Sequence, residues 1–412
     1  MSRFKELRHE LAQTRLELSV IECVKTLKQY IALQEELDRL LDRDSLAERR
    51  SIEDSKAFAR GNEKTQVVMP QNGLDEVVKN RATHSYEVTT SSMVMASFLA
   101  DSHNVTVNEI DYMRSIYNAS LLHDLGHPPF GHFGAEYISD YFKKLGLKEG
   151  FDDNNNNLVV VEKNKILVRD YTLASIIKYP ARLYPSQQEK YGELLRIAIE
   201  QDKEHFSQFD INLKGQKKTI ACQIMDEADR NSYTCSDLSD FLCMGSQLEA
   251  KNILQFAERF NVTHMVDDLI EVANCGSKNE IKKFFSDLKE SFNFNHRLDD
   301  NGLSFINNDR LRLRELLSKL SFEFYIKPLR SMDFHTENKE KLKLFIDEVV
   351  NNNFHPSSFY REKLKSASTK EDRLIALRDM IGEVSDWYVI NTCKKLGLEP
   401  QKKIERASDF SM

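Results

Sequence analysis

Apolar side chains recur along most of the chain at intervals of three or four residues, which is the spacing of one face of an α-helix. This pattern predicts helices over 85–100, 108–123, 134–145, 172–178, 188–202, 217–243, 247–262, 278–291, 309–325, 337–351 and 371–395. Glycine and proline are scarce, at 14 and 8 among 412 residues, which favours helices over turn-rich β architecture. We therefore expect a mostly all-α fold.

Two segments interrupt this helical pattern. Residues 152–157 include four consecutive asparagines and predict a polar loop with little capacity to pack. The apolar runs 158–161 and 166–168 flank a polar stretch, so they predict at most a small β-hairpin. Upstream, residues 1–43 carry an apolar stripe typical of an amphipathic helix, either packed on the protein or engaged in an intermolecular coiled coil. That stripe leads us to expect a homo-oligomer.

Charge and cysteine content narrow the class of protein. Lys and Arg total 58 and Asp and Glu 65, a net charge of −7. This balance argues against a protein that coats nucleic acid, although it leaves nucleic acid open as a regulator and permits a local basic pocket. The six cysteines form no CxxC pairs, which argues against disulfides and structural zinc. With no signal-like start and no apolar run of about 20 residues, we expect a cytoplasmic protein without a membrane partner.

The densest chemistry lies in one ten-residue segment, where three of the eleven histidines, His123, His127 and His132, occur together and Asp124 follows the first. Imidazole nitrogen and carboxylate oxygen suit Mn, Fe, Zn or Mg better than softer metals. A lone His-Asp pair also occurs as an ordinary helix C-terminus. Two further segments favour the metal, since His84 lies upstream and Asp229 lies within a long predicted helix.

These segments together resemble the dGTP triphosphohydrolase branch of the HD phosphohydrolase superfamily. The motifs that carry the resemblance are Ser55–Arg60 with Lys64–Val67, Arg81–Val88, His123–His132, and Ala228–Asp229 with Tyr233 and Asp237–Asp240. The string from His123 to His132, HDLGHPPFGH, is the most specific of them. The matches extend over about residues 50–390.

The resemblance implies a role for each matching residue. It implies that His84, His123, Asp124 and Asp229 bind one divalent metal ion, with Mn, Mg or Fe as the candidates. The other implied roles are catalysis by His132 with His127 beside the phosphates, phosphate binding by Arg81 and Arg230, and deoxyribose recognition by Gln66, Asp237 and Tyr233. Tyr233 and Asp237 follow Asp229 by four and eight residues, so one helix face would present all three.

The fold implied by the resemblance is an all-α HD-domain fold with an N-terminal helical extension over 1–45. The catalytic core would cover 46–260, and a C-terminal helical region, 261–412, would pack on it. The implied activity is hydrolysis of dNTP substrates to deoxynucleoside and tripolyphosphate. Family members also tend to assemble, in line with the expected oligomer.

The chain departs from the family pattern at three positions. Ala135 stands where an acidic residue is common, Asp153 where a histidine is frequent, and Met380 where a tyrosine can line the nucleoside site. Two alternatives therefore stay open. One is an HD phosphohydrolase that acts on another nucleotide, and the other is a nucleotide-binding regulator without turnover.

Overall fold

The computed structural model describes residues 43–64, 80–102, 109–275, 277–329, 333–351 and 358–398. Within these ranges the chain is helical apart from one two-stranded antiparallel sheet, which confirms the expected all-α class. The predicted N-terminal extension lies outside the described residues as far as residue 42, and so does Gln66. The division of the chain at residues 45 and 260 stays a prediction.

The α-helices and strands follow one another in a simple order. In chain order they are α1 (Arg43–Glu53), α2 (Lys56–Ala59), α3 (Arg81–Ser102), α4 (Glu109–Leu122), α5 (Gly131–Lys144), α6 (Asp153–Lys163), α7 (Asp170–Ser175), α8 (Pro185–Ser207), α9 (Ile220–Cys243), α10 (Ala250–Phe260), α11 (Asp267–Cys275), α12 (Lys278–Asn293), β1 (His296–Asp299), β2 (Gly302–Phe305), α13 (Asn308–Ser321), α14 (Lys327–Leu329), α15 (Asp333–Asn351), α16 (Ser358–Ser366), α17 (Lys370–Glu383) and α18 (Asp386–Lys395). A π-helical turn over Phe322–Ile326 joins α13 to α14. No helix in the described ranges has the length and apolarity needed to cross a membrane.

The long helix α9 organises the centre of the molecule. Its first half, from Ile220 to Ala228, packs into an apolar cluster shared with α3 and α4. Its last turns, from Cys235 to Cys243, pack into a second cluster with α10, α12 and α13. The middle of α9 lies between these clusters and carries the polar residues 229–233. The helix therefore fixes the middle turn at the point where a polar cavity opens.

The predicted loop over 152–157 and the predicted hairpin over 158–168 are both wrong. Residues 153–163 form α6, whose N-cap is Asp152; its side chain accepts a hydrogen bond from the Asn155 amide at 2.8 Å. Leu158, Val160 and Val161 are buried, so core packing outweighs the β-propensity of the valines. The structure instead has a hairpin later in the chain, where β1 pairs with β2.

The C-terminal helices pack against the segment that contains the three histidines. Helices α5, α15, α17 and α18 share one apolar cluster, which includes Phe130 and Met380. The Phe130 amide donates a hydrogen bond to Asp386 at the start of α18, at 2.7 Å. Lys64 is buried and donates to the His127 carbonyl oxygen. Residues distant in sequence therefore hold this segment in place.

Candidate metal centre and active-site cavity

The histidine-rich segment forms a turn between α4 and α5. His123 and Asp124 follow the last residue of α4, and the chain then reverses through Gly126 and two prolines. Phe130 takes a left-handed conformation, with φ 62°, immediately before α5 begins. A Cβ atom at Gly126 would lie 2.2 Å from the Asn157 amide nitrogen, so only glycine fits this close approach to α6.

The asparagines at the start of α6 clamp this turn. Asn157 accepts from the Gly126 amide and donates to the His123 carbonyl oxygen, both at 2.5 Å. Asn156 donates to the Gly126 carbonyl oxygen at 2.8 Å. Both asparagines are almost fully buried. Buried backbone groups need such partners, so the asparagine run supports the turn instead of forming a loop.

Four of the predicted residues converge beside this turn, and we call His84, His123, Asp124 and Asp229 the inner group. Asp229 Oδ1 lies 3.0 Å from His84 Nε2 and 3.6 Å from His123 Nε2. Asp124 Oδ2 lies 3.4 Å from His123 Nε2 and 3.9 Å from His84 Nε2. His84 comes from α3 and Asp229 from α9, so three separate parts of the fold supply this group.

The orientation of His123 suits a metal ligand. Its Nδ1–H donates to the Ser120 carbonyl oxygen at 2.7 Å, which leaves Nε2 with a free lone pair. Nε2 is buried and has no hydrogen-bond partner of acceptable geometry. An ion among His84, His123 and Asp229 would satisfy that nitrogen, and the carboxylate of Asp124 stands close enough to join. Two imidazoles and two carboxylates form a donor set that fits Mn, Fe or Zn.

Two buried cations balance the carboxylates of the inner group. Arg81 Nη1 lies 2.6 Å from Asp124 Oδ2, and Lys178 Nζ lies 2.7 Å from Asp229 Oδ2. Burial alone would raise the pKa of Asp124, but the His123 and His127 imidazoles and the Arg81 guanidinium hold it well below its usual range.

Neighbouring charges also shift the pKa values of Asp229 and His123. Burial opposes ionisation of Asp229, but Lys178 and then His123 hold its pKa well below the usual range. Burial also opposes protonation of His123, yet Asp124 and Asp229 raise its pKa. Both carboxylates of the inner group are therefore ionised and ready to bind a cation.

A second set of ligand-type side chains lies next to the inner group, and we call His127, His132 and Asp153 the outer group. Asp153 Oδ2 lies 3.2 Å from His127 Nε2 and 3.9 Å from His132 Nδ1. The side chain of His132 is 70% exposed, whereas that of His127 is buried. Partial loss of solvent around the rings, followed by the positive charge of Arg81, lowers the pKa of both histidines, so both rings are neutral bases near pH 7.

Both groups border one cavity of about 630 Å³. The predicted site residues that line it are Arg81, His84, Asp124, His127, His132, Asp229, Arg230, Tyr233 and Asp237. Three of these, Asp229, Tyr233 and Asp237, lie at successive turns along α9, as their spacing predicts. His123 lies behind this lining and is almost fully buried. The structure therefore brings together every predicted site residue that it describes.

Three cavity or scaffold residues had no assigned role in the sequence. Lys178 lies outside the motifs that carry the resemblance, and Asp153 was notable only as a departure from the family pattern. The clamp by Asn157 had no signal beyond composition. The other two departures lie away from the cavity lining, since Met380 is buried in the C-terminal cluster and Ala135 packs against it.

Comparisons with known proteins find similarity over the part of the chain that contains these residues. Residues 81–234 match the HD domain family. A deoxyguanosinetriphosphate triphosphohydrolase-like protein of Shewanella loihica is 28% identical over 244 residues, which is 49% of this chain and 54% of the relative. Proteins of the same name from Shewanella oneidensis and Bifidobacterium longum are each 27% identical, over 56% and 47% of this chain and 61% and 40% of their own lengths. The chain thus spans about half the length of the curated relatives it matches. It carries an HD domain at residues 81–234 and is similar to deoxyguanosinetriphosphate triphosphohydrolase-like proteins.

Proposed function

We propose that this protein is a metal-dependent dNTP triphosphohydrolase that converts a dNTP to its deoxynucleoside and tripolyphosphate. The observation that carries the proposal is the inner group, in which Nε2 of His84 and of His123 each lies within 4 Å of both the Asp124 and Asp229 carboxylates, at the edge of a cavity. The relatives named for the same activity support it, and so does the HD domain.

The inner group would hold one divalent ion, with Mn, Mg and Fe as the candidates. The orphaned Nε2 of His123 and the ionised carboxylates support this assignment. A bound ion would supply an acidified water and would offset phosphate charge. The Ser120 carbonyl oxygen keeps the His123 ring in the orientation that aims Nε2 at the inner group.

The cations around the cavity suit a triphosphate, which carries about three to four negative charges near neutral pH. Arg81 and Lys178 lie at the inner group, and Arg230 lines the cavity one residue after Asp229. We assign Arg81 and Arg230 to phosphate binding and place His127 beside the phosphates. Lys178 joins them because it also lines the cavity.

The sugar would lie along α9. Tyr233 is partly exposed on the cavity wall and Asp237 lies one turn further on, where its carboxylate accepts from the Ser321 hydroxyl at 3.4 Å. We assign Tyr233 to exclusion of a ribose 2′-hydroxyl, and Asp237 with Gln66 to the 3′-hydroxyl. Because this sugar wall shares a helix with Asp229, the phosphate nearest the inner group would be the α-phosphate.

Attack of water at the α-phosphorus would then break the bond to the nucleoside 5′-oxygen, and tripolyphosphate would leave in one piece. We assign the proton transfer to His132, whose ring is a neutral base open to the cavity: it would take a proton from the attacking water and return one to the leaving 5′-oxygen. General acid–base catalysis of this kind contributes about 10²- to 10⁴-fold in rate.

Product analysis tests the proposal directly. The full chain, stripped of metal and resupplied separately with Mn²⁺, Mg²⁺ or Fe²⁺, is incubated with each dNTP, NTP and dNMP and followed by phosphorus NMR. The expected result is tripolyphosphate from dNTPs alone. Orthophosphate with dNDP, or pyrophosphate with dNMP, would contradict the assigned position of the substrate.

Other outcomes of the same assay identify the alternatives. Turnover of only another nucleotide would favour a different HD phosphohydrolase, an alternative supported by Asp153 in the cavity wall. Nucleotide binding without turnover would favour a regulator. The expected homo-oligomer and cytoplasmic location stay predictions; light scattering on the full chain tests the first.

A further inference from the structure

We propose that the outer group, His127, His132 and Asp153, binds a second divalent cation, distinct from the ion of the inner group. The inference deepens the proposed function, on which it rests for the role of the inner ion. Its support comes from the position of Asp153, the unpaired nitrogen of His127 and the spacing of the three side chains.

Asp153 is fixed with one oxygen aimed at the histidines. It is the first residue of α6, directly after the N-cap Asp152. Its Oδ1 accepts from the amide and the side-chain nitrogen of Asn154, at 3.0 and 2.9 Å. These bonds leave Oδ2 toward His127 and His132, and no lysine or arginine pairs with this carboxylate among the described residues. An oriented carboxylate with one unshared oxygen is a ready ligand.

His127 presents a nitrogen with no partner. The ring is buried, and its Nδ1 lies 3.4 Å from Asp124 Oδ1. Its Nε2 faces Asp153 at 3.2 Å, yet no hydrogen bond satisfies it. A buried polar atom without a partner is costly, so a bound ion here would remove a real penalty.

The spacing also fits a metal ion. Two ligands that each lie about 2.1 Å from a tetrahedral ion are about 3.4 Å apart. The observed separations are 3.2 Å between Asp153 and His127 and 3.9 Å between Asp153 and His132. The largely exposed ring of His132 has room to turn by the few tenths of an ångström that are needed. Two imidazoles and one carboxylate with open positions suit Zn²⁺, Mn²⁺ or Fe²⁺.

Such an ion would compete with catalysis. An ion bound through Nδ1 of His132 would leave the proton of the neutral ring on Nε2, so the ring could not accept another proton. Filling the outer group would therefore withdraw His132 from proton transfer, and the second ion would inhibit turnover at high metal concentration. Asp124 stands between the two groups, since Oδ2 faces the inner histidines and Oδ1 faces His127.

Calorimetric titration of Zn²⁺ into the metal-stripped full chain counts the sites. We expect two equivalents for the wild type and one for Asp153→Ala. Asp140→Asn, which removes one exposed charge from α5, is the control and should keep two. Asp229→Asn should lose the inner event and keep the outer one. One equivalent in the wild type, or two in Asp153→Ala, would overturn the inference.

An activity titration separates this inference from the proposed function. Turnover of a dNTP by the wild type should rise and then fall as the metal concentration increases, whereas Asp153→Ala should lack the fall. Two bound ions without any tripolyphosphate would refute the proposed function and leave the second site standing. Tripolyphosphate production with a single bound ion, and no fall in turnover at high metal concentration, would refute the second site and leave the proposed function standing.

Discussion

The inner and outer groups contain the same two residue types, but the fold supports them in different ways. The side chains of the inner group come from α3, the end of α4 and α9, all are buried or nearly so, and Arg81 and Lys178 neutralise their carboxylates. The side chains of the outer group come from a turn and two helix starts, and one of them is largely exposed. Salt bridges and burial therefore hold the side chains of the first group, whereas one ring of the second group is open to solvent and held by fewer contacts.

The largest effect is expected from substitution of Asp124, which lies between the two groups. Asp124→Ala should abolish binding of the inner ion and reduce turnover below detection, because even partners of metal ligands typically contribute 10- to 100-fold. Metal content after dialysis and turnover with a dNTP are the two measurements. Asp124→Asn, which keeps the size and a partner for Arg81, controls for misfolding. Normal metal content in both variants would remove Asp124 from the inner group.

His132, the exposed residue of the outer group, tests whether that group takes part in proton transfer. His132→Ala should keep the inner ion and lower turnover by about 10²- to 10⁴-fold, as expected for loss of a general acid or base. Metal analysis and single-turnover rates distinguish it from Asp124→Ala, which loses both properties. A variant that keeps full turnover would show that proton transfer belongs to another residue.

Asn157 holds the turn that carries residues of both groups. Asn157→Ala would leave the Gly126 amide and the His123 carbonyl oxygen without partners, so the free energy of unfolding should fall by about 2–6 kcal/mol. Denaturant titration measures this change. Asn274→Ala, at an exposed position, should change it by less than about 0.5 kcal/mol. Equal effects of the two substitutions would refute the clamp.

A pH-dependent effect on the stability of the protein is expected from Asp202, which contacts the start of α9. Asp202 accepts from the Ile220 amide at the start of α9, and burial raises its pKa to about 7 although that amide and the Tyr171 hydroxyl donate to it. The pKa of Asp202 in the folded protein therefore exceeds the unfolded value of about 3.9, so protonation of Asp202 stabilises the folded protein. This contribution to the free energy of unfolding is complete below about pH 4 and is lost as the pH rises through 7.

Asp202→Asn removes that titration and supplies the comparison. The wild type should lose stability relative to the variant by up to about 1.4 kcal/mol per pH unit between roughly pH 4 and 7. Denaturant titrations across this range measure the difference. Parallel pH profiles for the two proteins would contradict the raised pKa of Asp202.

The smallest expected effect concerns the sugar wall on α9. Tyr233→Ala should narrow the preference for dNTP over NTP by about tenfold, since small substrate differences in a pocket are worth about 10- to 200-fold. Tyr233→Phe keeps the ring and should keep the preference. The ratio of kcat/KM values for a dNTP and its NTP is the measurement, and an unchanged ratio in Tyr233→Ala would exclude the role.

Residues with a local motif were predictable from the sequence. The turn from His123 to His132 and the spacing of Asp229, Tyr233 and Asp237 predicted side chains that the structure places around one cavity. The helical class was also predictable, because apolar periodicity depends on the local sequence. Roles for the inner group as metal ligands remain proposals.

Features that depend on tertiary contacts were not predictable. The valines of 159–161 favour a strand, yet burial against the core makes them part of α6. Asp153 looked like a departure from a pattern, and only the fold brings it to His127. The pairing of Lys178 with Asp229 joins α9 to a segment 51 residues earlier, a distance that no local pattern reports.

The asparagine run can be neither lengthened nor shortened without disturbing the site. Here each asparagine from 154 to 157 has its own partner in the fold. One added asparagine would turn the start of the helix by about 100° relative to its remainder. Asp153 and the Asn157 clamp could not then both keep their contacts, so the geometry of the turn fixes the length of this run.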